Sequence, residues 1–537
     1  MKKNILLALL SGALLAAAWP TYGFAALLFV AFVPLLWAEA RIRQQGLHTK
    51  RKTFALAYLT FFCWNFPTTW WIWNSTHIGA AMALLTNSLL MTLTFLLYHL
   101  VAKRMPRKVA LLFLAAIWLS FEKFHLSWEV SWPWLNLGNG FSELPTWIQW
   151  YEYTGTFGGS LWVWLLNITL FVAFTDYLQH QNRPLLAQRV GIAVLLWAVP
   201  VLISLFLYSR YTEEGQQRIT AVVLQPNIDP YAEKYDRSNS QIAELLLQLA
   251  TPQLDKNTQF VLTPETVFAQ NIRLHELPFT HEVAQLRTST EAFPQLNWIV
   301  GVAMIDFIKD KALTTSQSNY LPTYGLWYND YNSALLLNRQ PSLPLYHKSK
   351  LVVAVENFPY QQLLKPLIGE TLINLGGTVA LKTTQAQRTA FAGVDTQGKA
   401  APIICYESIY GEFVTDYIKQ GANFLAVLTN DAWWGDTQGH QQLLSYTRLR
   451  AIETRRSIAR SANTGISAFI NARGDLVSTL PYGRQGSLKH SLALNSEITF
   501  YVRMGDYIAR IAYFLAFFVF LYAMLKKREA RRSHLKA

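Results

Sequence analysis

The chain has 537 residues and a formal net charge of +14, with 52% hydrophobic but only 15% charged residues. Soluble proteins carry about 25% charged residues, so the composition excludes an ordinary soluble chain, and the length excludes one compact domain. The basic residues lie in short loops beside apolar runs rather than on one folded face, which argues against a nucleic-acid-binding protein.

Apolar runs dominate the first 210 residues, and one more follows residue 505. A membrane span needs about 20 residues, and tryptophan, which favours membrane interfaces, has 15 of its 19 copies before residue 217. We therefore predict eight membrane spans. They lie at about 4–18, 24–40, 55–73, 79–102, 109–121, 157–178, 189–209 and 507–525. The first run also resembles a signal peptide, but we interpret it as an uncleaved helix because a similar run follows at once.

Loop charge predicts the orientation of these spans. Lysine and arginine cluster after the second, fourth, sixth and eighth runs, whereas the other short connections carry almost none, Lys123 being the exception. Cytoplasmic loops carry the excess of basic residues, so the segment between the seventh and eighth runs is expected outside. The predicted domains are residues 1–210 with seven spans, 211–505 outside the membrane, and 506–537 with the last span and a basic cytoplasmic tail.

The outside segment alternates short β-rich runs with amphipathic stretches, which is typical of a layered α/β domain. The predicted strands are Ile219–Gln225, Phe260–Thr263, Trp298–Ala303, Ser333–Leu337, Pro402–Cys405, Phe424–Thr429 and Ile466–Asn471. The predicted helices are Asn239–Ala250, Tyr410–Gln420 and His440–Arg460.

Three segments carry side chains that could serve catalysis. Glu265 lies just past the second predicted strand, Cys405 ends the fifth, and the segment Tyr346–Lys350, with Glu356 after it, lies between them. The ends of strands are where α/β folds gather catalytic groups. A cysteine needs a base, since its free pKa is about 8.5; a carboxylate can serve, and an ammonium can stabilise the thiolate and an oxyanion. From residue types alone, packing remains the commoner role of a lone cysteine, and a solvated surface position that of a lone glutamate or lysine. The two cysteines, Cys63 and Cys405, lie too far apart in sequence and context to indicate a disulfide framework.

These segments resemble the Glu–Lys–Cys motifs of the nitrilase (carbon–nitrogen hydrolase) superfamily in order and spacing. The resemblance implies an αββα sandwich, with Glu265 as general base, Lys348 as stabiliser of the oxyanion and Cys405 as nucleophile. Glu356 matches the second active-site glutamate of the superfamily. Lys350 is a rival to Lys348, but the spacing to Glu356 favours Lys348.

The whole chain resembles a membrane-bound family within this superfamily, the bacterial apolipoprotein N-acyltransferases. The matching motifs are Trp132–Gly138, Gln225–Ile228, Thr429–Gly435 and Arg460–Gly465. There are two departures: Tyr235 stands where the family often has tryptophan, and Val353–Val355 replaces Pro-Phe-Gly before Glu356.

The resemblance implies N-acylation of the N-terminal diacylglyceryl-cysteine of apolipoproteins, with a phospholipid as acyl donor and a Cys405 thioester as intermediate. It places a multi-pass enzyme in the bacterial inner membrane, with a periplasmic catalytic domain, and implies no cofactor and no metal ion. Membrane anchoring favours a monomer. The expected supporting residues are Glu356, Tyr406, Glu407, Tyr235, Trp433 and Asn430, among which Trp433 could equally pack in an aromatic core.

Two other functions remain open at this point. A membrane-tethered amidase or nitrilase would use the same three residues and pass the acyl group to water. A non-catalytic scaffold that binds lipoproteins would not need Cys405 at all.

Overall fold

The computed structural model describes residues 2–353, 355–357, 359–360 and 381–536. Its chain divides into two compact units, Met1–Arg210 with Met504–Ala537, and Tyr211–Arg503. The helices are α1 Lys2–Ala17, α2 Val33–Gln45, α3 Thr49–Thr69, α4 His77–Ala102, α5 Arg107–His125, α6 Tyr151–Thr154, α7 Thr156–His180, α8 Arg183–Arg210, α9 Asn239–Ala250, α10 His281–Ala292, α11 Gly411–Lys419, α12 Gln438–Thr454, α13 Phe500–Met504 and α14 Tyr507–Lys536.

Each predicted apolar run is helical in the structure. Among the described residues, five helices are long and apolar enough to cross a membrane, and they are Ala25–Gln45, His77–Ala102, Thr156–His180, Arg183–Arg210 and Tyr507–Lys526. The helices α1, α3 and α5 do not meet both conditions; α1, for example, has only 16 residues. A membrane-embedded region is therefore supported, and the figure of eight spans stays a prediction.

A buried carboxylate organises part of the helical unit. Glu122 of α5 accepts hydrogen bonds from the Trp118 indole at 3.1 Å and from the backbone N–H of Leu137 at 2.8 Å. Gly138, the next residue, packs so closely on α7 that a Cβ there would lie 1.9 Å from the carbonyl oxygen of Thr156. The Trp132–Gly138 segment is thus held against two helices by contacts of its backbone.

The second unit contains two β-sheets in the part of the chain that is described. The strands are β1 Arg218–Gln225, β2 Thr258–Leu262, β3 Phe268–Arg273, β4 Asn297–Ile308, β5 Asn319–Leu321, β6 Leu326–Leu337, β7 Leu345–His347, β8 Phe391–Ala392, β9 Lys399–Ile404, β10 Phe424–Thr429, β11 Ile458–Ala462, β12 Ser467–Ile470, β13 Leu476–Leu480 and β14 Gly486–Ala493. One sheet has the order β14-β1-β2-β4-β6-β5, with β3 on β4 and β7 on β6; the other has the order β13-β12-β11-β10-β9-β8.

The two sheets pack face to face between two layers of helices. Phe260 and Phe424 meet between the sheets with ring centroids 5.0 Å apart. The helices α9 and α10 cover the first sheet through an apolar cluster that includes Leu246 and Leu286. On the second sheet, the Tyr417 hydroxyl of α11 donates to the carbonyl oxygen of Pro402 at 3.1 Å. This arrangement is the αββα sandwich expected from the sequence.

Every predicted strand falls on an observed one, and α9 has the predicted bounds. One helix prediction is wrong at its end: α12 stops at Thr454, and Ile458–Ala462 is a strand. Arg455 has φ +50°, a left-handed conformation that ends the helix. The strand Ile458–Ala462 then pairs in parallel with β10, so sheet pairing overrides the helical pattern.

Candidate active site

Glu265 lies on a tight turn just beyond the end of β2. The turn lies directly against the parallel strand β4, where the Gly301 N–H donates to Thr263 Oγ1 at 3.1 Å. A Cβ on Gly301 would lie 2.1 Å from the carbonyl oxygen of Pro264. Thr266, the residue after Glu265, has φ +43°. The backbone of the turn therefore fixes a buried carboxylate at the carboxyl edge of the sheet.

Lys348 lies between two carboxylates. It follows the short strand β7, and its backbone N–H donates to the carbonyl oxygen of Asn332 at 2.8 Å. Its Nζ is 2.8 Å from Glu265 Oε1 and 2.9 Å from the Glu356 carboxylate, and the side chain is 1% exposed. The Asn332 amide donates to Glu265 at 2.7 Å and to Glu356 at 3.1 Å. One ammonium and one amide thus hold both carboxylates in fixed positions.

The charges of this cluster set its protonation. Burial opposes the charged form of Lys348, but Glu265 and Glu356 outweigh it and raise the pKa of Lys348 well above its usual value. Burial likewise opposes ionisation of Glu265, yet Lys348 and the Asn332 amide hold the pKa of Glu265 below its ordinary value. At neutral pH the cluster therefore holds an ionised carboxylate that can accept a proton.

Cys405 occupies the first position after β9, beside the end of β10. It has φ +50°, so the chain leaves the strand at this residue and Cys405 is not part of β9, contrary to the predicted strand boundary. The side chain is buried, and burial raises the pKa of the thiol; the negative charge of Glu265 raises it further, while Lys348 lowers it. The resting group is therefore a thiol rather than a thiolate, and Glu265 and Lys348 both act on it electrostatically.

Glu407 connects the turn that carries Cys405 to the segment that carries Lys348. Its Oε1 accepts from the Tyr346 hydroxyl at 2.6 Å and from the Ser349 N–H at 2.7 Å, and its Oε2 accepts from the Ile404 N–H at 2.8 Å. Burial raises the pKa of Glu407 and these hydrogen bonds oppose the rise. Glu407 therefore binds the backbone next to Lys348 and next to Cys405.

The other predicted residues occupy different environments. Tyr406 is buried and packs edge-on against Tyr410, with ring centroids 5.3 Å apart. Asn430 is buried after β10 and accepts from the Asn463 amide at 3.2 Å; its own Nδ2 has no partner in the described part of the chain. Tyr235 is 61% exposed.

Trp433 and Lys350 each lie beside a tyrosine ring. Trp433 is half-buried and packs edge-on against Tyr231 at 5.3 Å. Lys350, the rival of Lys348, lies with its Nζ 5.0 Å from the centre of the Tyr410 ring rather than between the carboxylates. Of the Val353–Val355 segment, Ala354 lies outside the described residues.

Sequence reasoning missed Asn332 and Tyr346 as site residues. Asn332 lies within β6, at a buried position in a run that is otherwise apolar toward its end. A polar amide next to such an apolar run is a weak sequence signal, because an amide that is buried needs a hydrogen-bonding partner. Tyr346 alternates with His347 on β7, and only the structure reveals that its hydroxyl meets Glu407.

Comparisons with known proteins cover both units. Residues 220–498 match the family described as carbon-nitrogen hydrolase, and residues 11–169 match the family described as apolipoprotein N-acyltransferase N-terminal domain. A protein of Chlorobaculum tepidum named apolipoprotein N-acyltransferase is 27% identical over 98% of each chain. One of the same name from Geobacter metallireducens is 27% identical over 95% of this chain and 93% of its own. The solved carbon-nitrogen hydrolase of Helicobacter pylori G27 aligns with 15% identity and a TM-score of 0.36, over 54% of this chain and 94% of that one.

Proposed function

The chain belongs to the carbon–nitrogen hydrolase family, and we propose that within this family it is a membrane-bound acyltransferase that N-acylates lipoproteins. The acyl donor is a phospholipid. The acceptor is the free α-amino group of an N-terminal diacylglyceryl-cysteine. The similarity to enzymes named apolipoprotein N-acyltransferase supports this choice of substrates, since it extends over the helical unit as well as the sandwich.

The observation that carries the proposal is the position of Lys348. Its ammonium lies between Glu265 and Glu356 at 2.8 and 2.9 Å, and it interacts electrostatically with the Cys405 thiol. An acyl transfer needs a nucleophile, a base for its proton and a positive group for the oxyanion. Cys405, Glu265 and Lys348 supply these in that order.

In the first step Glu265 takes the proton of the Cys405 thiol, and the sulfur attacks an ester carbonyl of the phospholipid. Lys348 stabilises the oxyanion of the tetrahedral intermediate. The C–O bond then breaks, and the lysophospholipid alkoxide leaves with the proton held by Glu265. The product of this half-reaction is a Cys405 thioester.

In the second step the α-amino group of the lipoprotein attacks the thioester. Glu265 removes a proton from the nitrogen, the C–S bond breaks as the amide forms, and the proton returns to the sulfur. Both substrates are lipids, so a catalytic unit joined to membrane helices suits the reaction. Exclusion of water also protects the thioester from hydrolysis.

The proposed location is the periplasmic face of the bacterial inner membrane. The distribution of basic residues supports it: loops after the second, fourth and sixth apolar runs are rich in Lys and Arg, and the Tyr211–Arg503 unit falls on the opposite side by the positive-inside rule. A monomer with eight spans completes the proposal.

A transfer assay with the purified full-length protein in detergent tests this function. The donor is a phospholipid with a labelled acyl chain, and the acceptor is a diacylglyceryl-cysteine peptide with a free amino group. Label is expected on the peptide with the wild type and with Cys63→Ala, but not with Cys405→Ala. The same peptide with an acetylated amino group should stay unlabelled.

The outcome that contradicts the proposal is equally clear. Release of the label as free fatty acid at the same rate with and without the peptide would identify a hydrolase. Labelling that survives Cys405→Ala would exclude the thioester route.

A further inference from the structure

Lys234 is a buried cation next to the proposed base that the resemblance to known enzymes did not indicate. Only 8% of the residue is exposed, and its Nζ donates to Thr266 Oγ1 at 2.7 Å. Thr266 is the residue directly after Glu265 in the turn beyond β2. The Lys234 ammonium therefore contacts the residue that directly follows the proposed base.

Two aromatic rings also lie close to this ammonium. The Nζ lies 5.6 Å from the centre of the Trp433 ring and 6.0 Å from that of the Tyr235 ring. Tyr235 is 61% exposed and Tyr231, which packs on Trp433, is 65% exposed. The Lys234 head group thus lies just beneath an exposed group of aromatic rings.

Among the described residues Lys234 has no anionic partner, unlike three other cations around the site. Lys348 is paired with two carboxylates, Lys382 with Asp330 at 2.8 Å and Arg460 with Asp431 at 2.8 Å. Within the described ranges no carboxylate oxygen lies at ion-pair distance from the Lys234 Nζ, whose one hydrogen-bond acceptor is a neutral hydroxyl. An ammonium has three N–H donors, so two remain available.

Burial without an anion is costly for an ammonium. It lowers the pKa of Lys234 to about 8, even though Glu265 and Glu356 act in the opposite direction; Lys382 and Lys348 add to the lowering. A bound anion would remove this penalty, and lysine is a common ligand of phosphate groups in proteins.

We infer that Lys234 is a phosphate-binding residue of the active site, which receives the anionic phosphate of the phospholipid that donates the acyl chain. This inference rests on the proposed function. The phosphate of a phospholipid is joined to the reacting ester through the glycerol backbone, so it must lie close to Cys405 when the ester does. Lys234 contacts the residue that follows Glu265, so it supplies a cation with free donors near the site of that reaction.

The test compares two donors with the same acyl chains, phosphatidylglycerol and diacylglycerol, in identical detergent micelles. The leaving group of each donor is the alkoxide of an acylglycerol, and only that of phosphatidylglycerol carries a phosphate. The rate of acyl-enzyme formation is followed by the mass of the intact full-length protein. The wild type is expected to prefer phosphatidylglycerol by about tenfold or more, the range of a charge-assisted hydrogen bond.

The variants separate charge from packing. Lys234→Met keeps the length of the side chain against the aromatic rings and should bring the ratio of the two rates close to one. Lys234→Arg should retain most of the preference. Lys256→Met, at an exposed position, should retain all of it.

Three results would decide against the inference or against its premise. Equal wild-type rates for the two donors would overturn it without any variant, and this comparison decides if Lys234→Met does not fold. A Lys234→Met enzyme slowed by the same factor for both donors would overturn it too, since the lysine would then act through the Glu265 turn. A wild type that takes an acyl group from neither donor would refute the proposed function itself.

Discussion

Gly301→Ala is expected to slow acyl transfer by moving Glu265, although Gly301 has no side chain that could take part in the reaction. A Cβ at this position would lie 2.1 Å from the carbonyl oxygen of Pro264, 2.7 Å from the nitrogen of Thr266 and 2.9 Å from the Cα of Glu265. All three are backbone atoms, so no side-chain rotation relieves the contact. The turn beyond β2 must retreat by about 1 Å to restore an ordinary van der Waals distance.

The size of the effect follows from that displacement. Overpacking of this kind costs about 1–3 kcal/mol of stability, so the apparent melting temperature should fall by a few degrees. A misplacement of about 1 Å in a catalytic group costs on the order of 100-fold in rate. The assay is the rate at which Cys405 acquires an acyl group from phospholipid, measured on the folded fraction of protein.

The matched control is Gly191→Ala in α8, where a Cβ would meet no atom within 4 Å. It should leave the acylation rate unchanged, and alanine favours a helix over glycine by up to about 1 kcal/mol. A Gly301→Ala enzyme that acylates Cys405 at the wild-type rate would refute the reasoning, whatever its melting temperature.

Three other substitutions test separate parts of the site. Asn332→Leu removes the amide that helps to hold the pKa of Glu265 low, so the acid limb of the kcat/KM profile should move to higher pH; an unmoved limb would contradict this. Glu407→Gln leaves a buried donor unpaired and should cost about 1–3 kcal/mol by thermal denaturation, with slower acyl-enzyme formation, whereas wild-type values of both would exclude a positioning role. Lys348→Met should lower the acylation rate by about 100-fold or more while Lys350→Met has a much smaller effect, and equal losses would contradict the assignment.

Much of the fold could be predicted because its signals are local. Apolar runs and strand-length hydrophobic segments indicate burial directly, so helices such as α4 and strands such as β10 have bounds close to those predicted. The predicted end of α12 is wrong because the helix ends at a left-handed Arg455 and the residues that follow pair with β10. The helical pattern of the sequence contains no information about that pairing between separate strands.

The site divides in the same way. Glu265 and Cys405 lie at the ends of predicted strands, and together with Lys348 they could be proposed from the sequence because of the resemblance to known motifs. The groups that hold them in place could not, because their bonds join distant positions: Asn332 and Glu265 are 67 residues apart, and Tyr346 and Glu407 are 61 apart. Lys234 could not be predicted for a related reason, since a lysine in a polar segment resembles a surface residue and only the structure reveals its burial.

The most direct test of the proposed mechanism is the mass of the intact purified protein after mixing with a phospholipid of one acyl-chain length. A Cys405 thioester predicts a mass increase of one acyl group, absent from Cys405→Ala and present in Cys63→Ala. The added mass should disappear when a diacylglyceryl-cysteine peptide with a free amino group is supplied, and reappear on that peptide. A protein that transfers the chain to the peptide while Cys405 never carries it, or that gains the mass equally well after Cys405→Ala, would contradict the account.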